Sequence, residues 1–234
     1  MAGFPPDFSA SFRPGLESGG ALMRMRRDKV PPDSKEDRMR KLISMMVAAA
    51  TAGAAVLAVS APAKAEEVYV IRGAFNVFSE GMNQMTRQLQ SRGVNAKAYS
   101  NGAWSGLAQD IIRRNKAGSV SYPIVIMGHS VGGQEAPQMA NALAKAGVPV
   151  ALVVGFDPGF APPPPFTAGS PRVVNFWIKG SARGNPYRSA GGFSGSIENV
   201  DIRGFAPNVD HVQIDKDSRI QSRAVNLVLA TVGK

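Results

Sequence analysis

The chain has 234 residues, 44% of them hydrophobic, and a formal net charge of +10, so there is enough apolar material for one domain with a true core. It has no cysteine and two histidines, His129 and His211, which excludes disulfides, thiolate metal sites, a cysteine nucleophile and any histidine-rich metal centre; no metal or cofactor is expected. Ten of the basic and six of the acidic residues fall within residues 1–65, leaving +6 on the remainder, with no Lys/Arg run or aromatic interleaving. That pattern argues against a nucleic-acid face and for solubility, with at most a weak contact with anionic envelope surfaces.

Residues 1–38 mix Pro, Gly, Ser and charge (FPPDFSASFRPGLESGG) without a sustained apolar period, the composition of a disordered segment. Residues 39–65 have the layout of a secretory signal. A basic cluster (Arg38, Arg40, Lys41) precedes an apolar stretch from Leu42 to Val59, and Ala63-Lys64-Ala65 makes a small-x-small cleavage site. The expected mature chain is 66–234, exported to the periplasm or beyond, with Met39 as the expected start of translation. An N-terminal membrane anchor is the alternative, because the stretch is about long enough to span a bilayer.

From residue 66 onward, short β-branched runs alternate with helical periods. VYVIRGA (68–74) reads as a buried strand, and EGMNQMTRQLQSRG as a helix with Met82, Met85 and Leu89 on one face. VNAKAYS (94–100) is a strand, and WSGLAQDIIRRN a helix through Trp104, Leu107 and Ile111. YPIVIMG (122–128) is the next strand, Ala136 to Ala146 a helix, and PVALVVGF (149–156) a strand. VVNFWIKG (173–180) and ENVDIRG (198–204) are two more strands, and a last helix covers about Asp217 to Thr231. The alternation predicts an α/β domain, a mostly parallel central sheet with helices on both faces.

Within IVIMGHSVGGQE, Ser130 occupies Gly-x-Ser-x-Gly. The bare pattern arises readily by chance in a chain with 25 glycines, but here a strand precedes it and a helix follows. That sharp turn is what lifts a nucleophilic hydroxyl above the carboxyl edge of a sheet, with Gly128 and Gly132 where side chains would collide. A serine hydroxyl needs a base. His129 leaves the turn in another direction and reads as a packing residue, so elimination leaves His211, in the polar loop APNVDHVQIDKD. The third member must be a carboxylate that fixes the imidazole. Asp157, at the end of PVALVVGF, is favoured by position, with Asp201, Asp210 and Asp215 as alternatives. Oxyanion donors are expected from the N–H of Val131 and from Ala74 or Phe75, in a loop that Gly73 allows to come close.

VYVIRGA, GHSVGG, VVGFDPG and NVDHVQID, in that order, resemble the α/β-hydrolase superfamily, in particular its small lipase-like and thioesterase-like members. The resemblance covers about 66–234. It implies a minimal α/β-hydrolase fold and acyl transfer through a Ser130–His211–Asp157 triad, acting on a small-molecule or lipid-like carboxylic ester or thioester. The chain departs from the family pattern in its short length, in an acid that follows the strand just after the nucleophile's helix, and in Arg72-Gly73 where a His-Gly pair is common. A hydrolase-fold binding or scaffold module without turnover is the alternative. PGFAPPPPFTAGSPR, with six prolines in fifteen residues, cannot form a helical lid. It reads as a stiff rim whose Phe160 and Phe166 touch the substrate. The Gly-rich loop 179–196, carrying Lys179, Arg183 and Arg188, reads as flexible surface with cations able to grip an acidic group.

Overall fold

Six strands run parallel in a single sheet of order β2-β1-β3-β4-β5-β6: β1 Glu67–Ile71, β2 Ala96–Tyr99, β3 Ile124–His129, β4 Leu152–Phe156, β5 Arg172–Trp177 and β6 Ser196–Asp201. The structure, a computed structural model, describes Lys35 and residues 38–40, 66–74, 79–169 and 171–234. The chain divides into Met1–Ala58 and Val59–Lys234; in the first, only Lys35 and 38–40 are described, all of them helical. The predicted disordered segment and signal otherwise lie outside the described residues. Among the described residues, no helix is long and apolar enough to cross a membrane.

The two-residue period of each strand sorts its side chains onto two covered faces. Val68, Val70, Val125, Met127, Val154 and Phe176 face one side, against α1 (Glu80–Gln90) and α4 (Ser218–Val232). Met82, Met85 and Leu89 of α1 and Ile220, Val225 and Val228 of α4 complete that layer. Ile71, Ile124, Ile126, Val153 and Val173 face the other side, under α2 (Trp104–Lys116) and α3 (Val131–Lys145). Coverage on both faces is why β3 and β4 are apolar without alternation and buried at every position. Each large aliphatic side chain removed from water contributes about 1.5–3 kcal/mol.

Helix α3 begins at Val131, five residues earlier than its apolar period predicts, and runs through Pro137. Proline has no N–H to give the carbonyl four residues back, at Gly133. That carbonyl instead accepts the buried hydroxyl of Tyr187 at 2.6 Å. A side chain from a distant loop therefore lets the helix reach back to Ser130.

The chain leaves β1 outward to β2 and returns on the other side of β1 as β3, so the strand order reverses between β1 and β3. Loops that leave such a reversal at the carboxyl edge diverge and open a crevice. The residues after β1, β3 and β4 all lie along this edge.

Candidate active site

Ser130 is the single residue between β3 and α3, held at φ 53° and ψ −115° and almost fully buried. Its N–H donates to the carbonyl of Phe156 at 3.0 Å, which extends the β3–β4 pairing by one step. The flanking glycines make the turn possible: a Cβ on Gly128 would lie 2.3 Å from the Gly132 carbonyl oxygen, and one on Gly132 would lie 2.4 Å from that of Ile71.

Asp157 follows β4 directly and is fully buried, with its N–H bonded to the Phe176 carbonyl at 2.8 Å. Its Oδ1 accepts the Ile178 N–H at 3.0 Å, while Oδ2 lies 2.7 Å from His211 Nδ1. His211 Nε2 lies 2.9 Å from Ser130 Oγ. The carboxylate can only accept, so Nδ1 carries the proton and Nε2 is left to accept from the serine hydroxyl. The three sequence-predicted residues thus form one chain of hydrogen bonds. Asp201, Asp210 and Asp215 stand elsewhere: Asp201 pairs with Arg203, Asp210 accepts the N–H groups of Val212 and Gln213, and Asp215 accepts that of Met82.

Ser130, Asp157 and Phe160 are the non-glycine residues with positive φ among those described, and all three sit here. Conformations of this kind cost about 1–3 kcal/mol each and persist only where the surroundings impose them. Part of that imposition is close backbone packing. A Cβ on Gly159 would meet both Ser130 Oγ and His211 Cε1 at 2.9 Å, and one on Gly184 would lie 1.8 Å from Asp157 Oδ1.

His129 does more than fill space. Its Nε2 faces the main-chain carbonyl of His211 at 3.0 Å and must donate, which leaves Nδ1 to accept the Ser79 hydroxyl at 2.8 Å. Ser79 Oγ in turn accepts the Gly73 N–H at 2.8 Å. Burial, ahead of its neighbours' charges, pushes the His129 pKa down to about 4, so the ring is neutral and the direction of the relay is fixed. Sequence reasoning missed this link. The available signal was Ser79 at the start of α1, the position of a helix cap, whose side chain caps nothing there.

A cavity of about 300 Å³ opens at Ser130, bounded among others by Ala74, Phe160, Arg183, His211 and Val212. Val131, as the first residue of α3, has an N–H with no partner inside the helix. Ala74 lines the cavity from the β1 loop, and Phe75 lies outside the described residues. A Cβ on Gly73 would stand 3.1 Å from the Ser130 Cβ, so this loop does come as close as expected. Phe160 is 69% exposed, with its ring edge-on to His211 at 6.3 Å between centroids.

Phe166 corrects the sequence reading. It is fully buried, edge-on to Tyr187 at 5.3 Å and next to Phe193, and does not line the cavity. The proline run turns it inward while Asn141 of α3 holds the rim through the Pro165 carbonyl and the Thr167 N–H. The loop 179–196 is also corrected in its middle: Tyr187 is in the core, and Gly184 bridges antiparallel to Gly159. A more open groove of about 420 Å³ between β5, β6 and α4 contains none of these residues.

The all-parallel sheet of this order, covered on both faces, with a strand, sharp turn and helix at its middle, gives the protein an α/β-hydrolase-like fold. No family model and no curated protein matches the chain. Similar solved structures include the NocB thioesterase domain in covalent complex with a fluorophosphonate nocardicin G analog, at 14% identity and TM-score 0.44, covering 74% of this chain and 96% of that one. Est1E from Butyrivibrio proteoclasticus is similar at 10% identity and TM-score 0.48, over 75% and 92% of the two chains. The type II thioesterase BorB from the borrelidin biosynthetic cluster is similar at 9% identity and TM-score 0.44, over 72% and 93%.

Proposed function

We propose that the protein is an exported serine hydrolase that cleaves carboxylic esters, with thioesters as the secondary class, through Ser130, His211 and Asp157. The observation that carries this reading is the continuous relay from Ser130 Oγ through His211 to Asp157, at 2.9 Å and 2.7 Å, on a strained turn beside a cavity.

In the first half-reaction Ser130 Oγ attacks the ester carbonyl carbon as His211 Nε2 takes its proton. The imidazolium is stabilised by the Asp157 carboxylate, and the carbonyl oxygen, now anionic, receives the Val131 N–H and a second donor from the loop at Ala74 and Phe75. Collapse breaks the bond to the leaving group, which takes the proton from His211 and departs. In the second half-reaction water attacks the acyl-enzyme with His211 again as base. The acid is released and the Ser130 hydroxyl restored.

The signal-like segment 39–65 supports export, and export disfavours acyl-CoA, a cytosolic carrier, as substrate. The net charge of +6 beyond residue 65 supports weak attraction to anionic envelope surfaces rather than a dedicated macromolecular partner.

The test is labelling of the folded mature chain with a fluorophosphonate probe, followed by a panel of chromogenic esters of varied acyl length. Wild type should label and turn over; Ser130→Ala should abolish labelling, and Asp157→Asn should lower kcat by about 10⁴-fold. A folded wild type that neither labels nor hydrolyses any ester would leave a non-catalytic binding module.

A further inference from the structure

We propose that Arg183 makes the site selective for esters that carry a free carboxylate, a statement that rests on the ester-hydrolase reading above. Apart from the triad and the Ser79–His129 pair, the cavity at Ser130 is walled by main chain and by the apolar side chains of Ala74, Phe160 and Val212. Among the described residues that line it, Arg183 is the one with a permanent charge.

Its position is imposed. The next residue, Gly184, is pressed onto the Asp157 carboxylate and pairs in an antiparallel bridge with Gly159. Asn185 donates its side-chain amide to the carbonyls of Pro158 and Ala161, at 3.1 Å and 3.2 Å. The N–H of Arg183 itself donates to Ser181 Oγ at 3.1 Å. Gly184 and Asn185 are therefore fixed against the loop that follows Asp157, Arg183 is pinned within its own turn by Ser181, and its place next to Gly184 carries it to the cavity.

The backbone is anchored, but the guanidinium is not engaged. Among the described residues it makes no ion pair and no side-chain hydrogen bond. Asp210 lines an adjoining lobe with Arg183, but its Oδ1 is taken by the N–H groups of Val212 and Gln213, and it forms no ion pair with the arginine. A planar fork of donors beside an apolar cavity fits a carboxylate in two parallel hydrogen bonds, and one cation matches one negative charge.

The experiment uses two matched ester pairs on the mature enzyme at low ionic strength. Mono-(4-nitrophenyl) adipate against 4-nitrophenyl hexanoate places the charge on the acyl side; 4-acetoxybenzoate against 4-acetoxybenzamide places it on the leaving side. Because Arg183 is exposed, wild type should favour the anionic member of at least one pair by about two- to fivefold in kcat/KM, mostly through KM. Arg183→Gln should bring that ratio near one, Arg183→Glu should invert it, and 0.5 M salt, used as a probe of screening, should shrink it about as much as the first variant does. A wild type with no charge preference, or a preference that survives Arg183→Gln, overturns this inference alone, because labelling by the fluorophosphonate would still stand. An enzyme that neither labels nor turns over any of the four esters overturns the ester-hydrolase reading and this inference with it.

Discussion

His129 Nε2 donates to the main-chain carbonyl of His211 at 3.0 Å, so the residue just before Ser130 holds the backbone of the residue that hydrogen-bonds Ser130. The rings themselves lie 5.4 Å apart, tilted at 38°, without competing for Ser130. Through Ser79 the same ring reaches the Gly73 N–H, and so ties the β1 loop to the His211 loop. In the proposed hydrolase His129 is thus a positioning residue.

His129→Ala should lower kcat by about 10-fold to 100-fold at nearly unchanged KM, the scale of a sub-ångström to ångström misplacement of the base. Fluorophosphonate labelling should slow without vanishing. If His129 mattered only for stability, the folded fraction of the variant would keep wild-type kcat, and that result would remove the positioning role.

The second prediction concerns pH and joins His129 to Asp215. Burial, ahead of the main-chain N–H groups that oppose it, pushes the Asp215 carboxyl up to about 6 from its usual 3.8, and its Oδ1 has no hydrogen-bond partner. A raised pKa gives stability that is full below 3.8 and lost as pH rises through about 6. His129, depressed from 6.5 to about 4, gives the opposite: stability present above 6.5 and lost as pH falls through about 4. Each contribution is on the order of 3 kcal/mol, so over the shared window the two largely cancel. Urea midpoints between pH 4.5 and 7 should therefore slope upward with pH in Asp215→Asn and downward in His129→Gln. Parallel profiles in the two variants would contradict the assignment.

What could be read beforehand follows from how local the determinants are. The inner strands β1, β3, β4 and β5 were legible because burial on both faces leaves nearly continuous apolar runs, whereas the edge strands β2 and β6 are only partly buried and carry no such run. Ser130 was legible because its glycines are close in sequence: Gly128 is demanded by the Gly132 carbonyl within the turn, and Gly132 by the carbonyls of Ile71 and Arg72 at the end of the neighbouring β1. The start of α3 was hidden because it depends on Tyr187, fifty residues beyond Pro137, capping the carbonyl that the proline leaves free. Phe160 and Phe166 look alike in the proline-rich stretch, yet a positive φ turns one to solvent while packing on Tyr187 buries the other. Ser79 and His129 carry no joint signal in the chain, because only the fold brings them to 2.8 Å.

Gly184 offers a third prediction, a test of Asp157 as the proposed triad's acid that leaves its carboxylate untouched. An alanine Cβ there would come within 1.8 Å of Asp157 Oδ1, and the carboxylate is fully buried with no room to retreat. Gly184→Ala should therefore break the Asp157–His211 bond and lower kcat towards the roughly 10⁴-fold loss expected of Asp157→Asn. Gly204→Ala, where nothing lies within 4 Å of the added atom, is the control and should be silent. Equal activity in the two variants would show that Asp157 is not held as described.

The last prediction concerns the strain in the turn. Ser130 at φ 53° and ψ −115° occupies backbone space that side chains other than glycine's rarely enter, and such a residue costs about 1–3 kcal/mol. Ser130→Ala and Ser130→Gly lose the same hydroxyl and the same hydrogen bond to His211, so the difference between them isolates the backbone. Glycine relieves the strain but loses about 0.4–1 kcal/mol through its freer unfolded state. The net expectation is that Ser130→Gly is more stable than Ser130→Ala by about 1 kcal/mol, or about 2–4 °C in Tm for a domain of this size. Both variants should be inactive. A thermal melt in which alanine equals or exceeds glycine would mean that the turn is relaxed, and the hydroxyl would then owe its position to side-chain packing instead of to an imposed backbone.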